Sequence, residues 1–161
     1  MNAENTPMNP KKTINDLCDI VRQTAYGIHT YHANGHLEKV YENALAHRLS
    51  KAGLEVKQQH PLKVCDEDGT EPGDYFADLF VDNRLIVELK AAKALADEHV
   101  AQMLGYLKAS HIEHGLLINF GSYRFQIRKY VLSQGKVSEE GAGRFASFLT
   151  FLFAIFAFSR G

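Results

Sequence analysis

Apolar and polar positions follow two different rhythms along this chain, and the changes of rhythm mark its elements. From about Thr13 to His32 the apolar residues Ile14, Leu17, Cys18, Val21, Ala25 and Ile28 recur at helical spacing. Asn34-Gly35 breaks that run. A second helix, His36 to Ala52, follows at once with Leu37, Val40, Tyr41, Ala44, Leu45 and Leu49 on its apolar face and Gly53 as its stop. Strands are predicted at 54-LEVKQQ-59 and 61-PLKVCD-66, followed by the turn-rich DEDGTEPGD. A hairpin fills roughly Tyr75 to Leu89, and a polar-faced helix spans Ala96 to Ala109. The run 115-GLLINF-120 reads as a buried strand, followed by 123-YRFQIRKY-130. Helix, helix, strands, helix, strand is the order of a mixed α/β or α+β domain.

The hairpin poses a question of charge. Its two apolar runs, in 76-FADLFVDNRLIVELKA-91, carry Asp78, Glu88 and Lys90, and burying a charge is costly unless it is paired or holds a metal. Glu88 and Lys90 are two apart and so project to one face. If Asp82-Asn83-Arg84 is a three-residue loop, Val81 pairs with Leu85 and Asp78 falls opposite Glu88. A two-residue loop would separate the two acids. With the odd loop, two carboxylates stand about 5 Å apart with an ammonium beside them. Such a pair stays ionised cheaply only around a cation, and oxygen ligands suit Mg²⁺ or Mn²⁺ better than zinc. A hard divalent ion beside a lysine is suited to phosphodiester hydrolysis: the ion activates water and polarises the phosphoryl oxygen, and the lysine offsets developing charge. The plainer alternative is an edge hairpin whose charges form a solvated salt-bridge ladder.

Composition narrows the setting. At 161 residues, 45% hydrophobic and 23% charged, the chain has the make-up of a soluble single domain with its own core. A net charge of -1 offers no global attraction to a polyanion, so a nucleic-acid site must be a local patch. Cys18 and Cys65 suggest neither a disulfide framework nor a zinc site, and suit a reducing, cytoplasmic setting. Residues 1–12 read as a polar lead-in without the apolar segment of a signal peptide. The domain proper is expected over 13–132, with 133–161 as a C-terminal extension ending in an apolar helix. In that extension Phe145 to Phe158 is fourteen residues long, with only Ser147 and Thr150 polar. It falls short of the roughly 20 residues a membrane span needs. A helix packed on the domain or in a dimer interface, a membrane-surface anchor and a tail without a role all stay open for it. No Walker-type loop, G-x-S-x-G elbow or cysteine–histidine signature is present.

Several ordered segments carry a family resemblance. The stretch 35-GHLEKVY-41 followed by ENAL, the ELK strand, and 99-HVAQMLGYLK-108 leading to GLLINFG are similar to the GxxExxY family of the PD-(D/E)XK nuclease superfamily. The resemblance covers roughly Ile14 to Val131, about three quarters of the chain. It implies a central mixed β-sheet flanked by helices, a restriction-endonuclease-like core, and divalent-metal-dependent cleavage of nucleic acid; DNA is expected ahead of RNA, with the choice between them left open. By that likeness Asp78 matches the first motif acid, Glu88 with Lys90 the (D/E)XK pair, Glu38 the acid on the preceding helix, and Gln102 a supporting glutamine on the following helix. The ligand set implied for the metal is Asp78, Glu88 and Glu38. Two departures stand out: residue 77 is alanine where the superfamily name has proline, and His32-Ala33-Asn34 precedes Gly35 where a Gly-Pro type turn is expected.

Helical spacing agrees with this picture. Glu38 shares a face with Tyr41 and Glu42, so Tyr41 is a candidate to bond a phosphate or Glu38 itself, or else a packed ring. His99 and Gln102 are three apart on one face, which makes His99 a candidate phosphate contact or a plain surface histidine. His29, His32 and His36 are interrupted by Asn34-Gly35, against a shared metal role. Lys57, Lys63, Lys93, Lys108, Arg124, Arg128 and Lys129 are the candidates to meet a polyanion. The run 124-RFQIRKY-130 interleaves basic and aromatic residues as a backbone-tracking groove does, and equally as an edge strand does. A metal-dependent nuclease is therefore the first expectation. A non-cutting nuclease-fold module that binds nucleic acid or protein is the second, with homodimerisation and association of the tail with a membrane left open.

Overall fold

Three helices and six strands make up residues 11–140, the part of the chain that the computed structural model describes. In chain order they are α1 (Ile14–His32), α2 (Glu38–Lys51), β1 (Val56–Val64), β2 (Gly73–Val81), β3 (Leu85–Lys90), α3 (Asp97–Ser110), β4 (His114–Asn119), β5 (Gln126–Ser133) and β6 (Lys136–Glu140). The strands form one mixed sheet in the order β1-β2-β3-β4-β5-β6, with β3 and β4 parallel and every other pair antiparallel. Only the parallel pair needs a crossover, and α3 supplies it. This is an α+β fold with a restriction-endonuclease-like core.

The apolar periods place the helices. Leu17, Cys18, Val21, Ala25 and Ile28 of α1 pack with Tyr41, Leu45, Ala46 and Leu49 of α2 on one face of the sheet, against Leu79, Val87, Leu89 and Ile118. Met103, Tyr106 and Leu107 of α3 cover the other face at Phe80, Ile86 and Leu117. Each fully buried leucine or isoleucine contributes about 1.5–3 kcal/mol of hydrophobic stabilisation. Thr13 caps α1 by accepting from Asp16 N–H at 3.1 Å, and the Asp16 carboxylate accepts from Thr13 N–H at 2.9 Å.

Two expectations change. The strands predicted on either side of His60 are one continuous strand, because Pro61 lies on the sheet's edge, where a missing N–H is tolerated. The sheet also runs past residue 132: β5 ends at Ser133, and the short, charged β6 adds a final edge strand. The sheet therefore continues to Glu140, the last of the described residues. Among the described residues no helix is long and apolar enough to cross a membrane. The apolar run 145–158 lies outside them.

Candidate active site

Val81 pairs with Leu85, so the turn is the three-residue one and the two acids share a face. Asp82 and Asn83 take left-handed conformations (φ 49° and 54°), which Asp and Asn tolerate better than other non-glycine residues. The β2–β3 ladder runs from Val81/Leu85 only to Leu79/Val87. Just beyond it the Asp78 carboxylate takes over the backbone's role, with Oδ2 accepting from Leu89 N–H at 2.8 Å. Asp78 N–H in turn points to Glu88 Oε2 at 3.4 Å. Lys90 Nζ lies 3.6 Å from Glu88 Oε1. All three side chains have the strand parity of Phe80 and Ile86, the residues that pack on α3.

Electrostatics follow from this crowding. Burial first and the neighbouring Asp78 second push the Glu88 carboxyl up from 4.5 to about 8, with Lys90 opposing. Burial also raises Asp78, offset by the Leu89 N–H. Two buried carboxyls side by side cannot both ionise without a compensating cation.

Glu38, the first residue of α2, feels the same charges. Burial raises Glu38, with Lys90 lowering and Asp78 raising it. Among the described residues no three acidic, histidine or cysteine side chains converge as a preformed metal cage. The trio Asp78, Glu88 and Glu38 is thus not gathered as a ready ligand set. Asp78 and Glu88 do lie side by side, and two carboxylates are a donor type that suits Mg²⁺, which keeps several waters and takes few protein ligands.

Three participants have little signature in the sequence. Glu42 is buried, accepting from Lys39 Nζ at 2.7 Å, Gln58 Nε2 at 2.9 Å and Gln59 Nε2 at 3.0 Å. Gln59 Nε2 also reaches Asp78 Oδ1 at 3.3 Å, so one amide braces both acids. It does so from a left-handed backbone (φ 48°) within a strand, a conformation costing about 1–3 kcal/mol for a non-glycine residue. Tyr106 is the third. Burial and the Glu88 charge push its phenol up to about 12, and its hydroxyl accepts from Gln102 Nε2 at 2.8 Å.

The other predicted residues sit as follows. Gln102 acts on Tyr106 rather than on the acids directly. Tyr41 is fully buried; its hydroxyl donates to Ala33 O at 2.6 Å and accepts from His36 N–H at 3.3 Å. That hydroxyl is committed to the turn before α2, so Tyr41 is a packed ring and the expected phosphate or Glu38 bond is absent. His99 Nδ1 accepts from Ala96 N–H at 3.0 Å and caps α3. Arg128 lies in β5 opposite Leu117, and Arg124 is exposed in the β4–β5 loop. Of the other basic candidates, Lys63 pairs with Glu71 at 3.0 Å, Lys57 with Glu55 at 3.3 Å and Lys129 with Glu140 at 2.9 Å, which spends their charge locally.

The segment after Lys90 is clamped. Asn119 Oδ1 accepts from Ala92 N–H at 3.1 Å, and its Nδ2 donates to Ala92 O at 2.9 Å. A methyl group on Gly121 would overlap the backbone of Ala91 and Ala92. Gly121→Ala is therefore expected to destabilise the fold by about 1–3 kcal/mol, as overpacking does. A lower urea midpoint would show it; an unchanged midpoint would mean that the clamp is looser than its contacts suggest.

A model of the PD-(D/E)XK nuclease superfamily matches residues 15–130, and the chain belongs to that superfamily. Its members are usually nucleases and generally use divalent metals. No curated protein and no solved structure matches the chain.

Proposed function

We propose that the protein is a divalent-metal-dependent nuclease of the GxxExxY type, cutting phosphodiester bonds of nucleic acid, DNA in the first instance. The observation that carries this reading is the pairing of two buried carboxyls, Asp78 and Glu88, with Lys90 3.6 Å from the second. As a salt-bridge ladder this arrangement is poor, since one lysine faces two buried acids. As a half-built cation site it is sound. Asp78 and Glu88 would hold Mg²⁺ or Mn²⁺. The bound ion would supply Lewis-acid polarisation of a phosphoryl oxygen and a more acidic water. Lys90 holds a positive charge beside that position and offsets the negative charge that builds on the phosphoryl oxygens. Glu38 stands close enough to Lys90 for that lysine's charge to act on its carboxyl. Gln59 keeps Asp78 oriented while Glu42 anchors Gln59. The two free cysteines, Cys18 and Cys65, favour a reducing, cytoplasmic location.

The test is calorimetric titration of wild type and Glu88→Ala with Mg²⁺ and Mn²⁺, beside cleavage assays on single- and double-stranded DNA and RNA. Wild type is expected to bind the ion and cut, and the variant to do neither. Cleavage that survives in Glu88→Ala, or wild type that binds no ion, would defeat the proposal.

A further inference from the structure

A file of rings runs from the surface to the backbone of Lys90, and the chemistry above uses none of it. Tyr31, 78% exposed, meets His32 edge to face with centroids 4.8 Å apart. His32 meets His36 in the same way at 5.5 Å, and His36 meets Tyr41 at 5.8 Å. Tyr41 stacks on Phe120 at 4.6 Å, and Phe120 N–H donates to Lys90 O at 2.8 Å. A side branch passes from Phe120 to Phe125 at 6.2 Å and on to Tyr26 and His29, each at 5.7 Å. Two bonds tie the β4–β5 loop to this end of α1: His29 Nε2 with Ser122 O at 2.9 Å, and Asn34 Nδ2 to Gly121 O at 3.4 Å. On that loop Tyr123 is 89% exposed.

The inner rings of the file are core; its outer members are not. Tyr31, Tyr123 and Leu37 (79% exposed) present apolar surface around the turn that leads directly into Glu38. Edge-to-face contact holds Tyr31 at a fixed tilt, so stacking a planar partner on it costs little extra side-chain entropy. Exposed Arg124 follows Tyr123 directly and supplies charge suited to phosphates, whereas Lys39 is paired with Glu42 at 2.7 Å. Planar, apolar-faced groups linked by phosphates describe a nucleic-acid strand, and base faces are accessible only when the bases are unpaired. A second copy of the chain would account for the apolar surface but not for a basic residue, Arg124, set directly beside an exposed ring, Tyr123.

We infer that Tyr31 and Tyr123 are stacking positions for unpaired bases of a single-stranded segment next to the scissile phosphate. The location rests on the nuclease reading, but the test does not need cleavage. The 161-residue chain has seven tyrosines and no tryptophan, so base stacking is readable as quenching of tyrosine emission. Oligothymidylate and its duplex with oligoadenylate are titrated into wild type, Tyr31→Ala, Tyr123→Ala and the two Tyr→Phe variants in EDTA, with sedimentation run in parallel. The single strand is expected to quench emission and bind at least tenfold more tightly than the duplex. Each alanine variant should weaken it between about 5- and 150-fold, the range for losing one stacked base, while each phenylalanine variant retains it.

Equal binding by wild type and the alanine variants overturns the inference. So does a duplex preference, or self-association that Tyr31→Ala abolishes, which would assign the ridge to a second copy. If tyrosine-dependent binding persists while wild type with Mg²⁺ cuts nothing, the nuclease reading fails and this assignment stands. If wild type cuts and the alanine variants bind as it does, only this assignment fails.

Discussion

Asp78→Asn is expected to lower cleavage by roughly 10³-fold while leaving the fold intact, since one preorganised electrostatic group at the reacting centre is worth about that much. The substitution suits the question because the asparagine carbonyl can still accept the Leu89 N–H that Asp78 Oδ2 accepts at 2.8 Å. What it removes is the charge. Single-turnover cleavage of whichever substrate wild type cuts, with a circular-dichroism melt on the same samples, separates the two contributions. Retained activity would show that the Asp78 charge has no part in the chemistry. Loss of activity together with unfolding would make Asp78 a strand-end brace and nothing more.

The second large effect is on stability against pH. In the metal-free chain Glu88 is raised from 4.5 to about 8. The unfolded chain releases this proton near the lower value, whereas the folded chain keeps it until near the upper one. Between the two, the folded state binds more protons, so stability is greatest below the unfolded value and falls as pH rises through the window. The slope is at most about 1.4 kcal/mol per pH unit, and the total is of order a few kcal/mol. Asp78 and Glu38 are shifted in the same direction and add to it. Urea midpoints in EDTA across this range should therefore decline with pH, and Glu88→Gln should flatten the decline. Excess Mg²⁺ should restore most stability at the alkaline end, where ion and proton no longer compete. A wild-type profile as flat as that of Glu88→Gln would refute the buried pair.

Much of this was legible in the chain because it depends on period. The apolar spacing of Leu17, Val21, Ala25 and Ile28 makes α1, and strand alternation with an odd turn puts Asp78 and Glu88 on one face. What escaped depends on tertiary context. Glu42 lies four residues from Glu38 and looks like any helix acid, until β1 brings Gln58 and Gln59 over it. Gln59 sits in a polar run, and no residue type announces a left-handed backbone except glycine, asparagine and aspartate. Tyr41 was read correctly as facing inward, but its hydroxyl partner is the Ala33 carbonyl in the turn, which spacing cannot show. The strand β6 escaped because KVSEE is short and charged, as an edge strand often is.

The kink at Gln59 has an effect beyond the site. β1 is the outermost strand on its side of the sheet, and an open strand edge is a template on which another chain can add. A regular template needs an unbroken row of donors and acceptors. Gln59 turns its backbone out of the extended conformation, and two residues later Pro61 has no N–H to offer. The conformation that lets one amide brace Asp78 therefore also spoils the edge for strand-by-strand growth, so the sheet is protected from runaway association by the same residue that steadies its candidate active site.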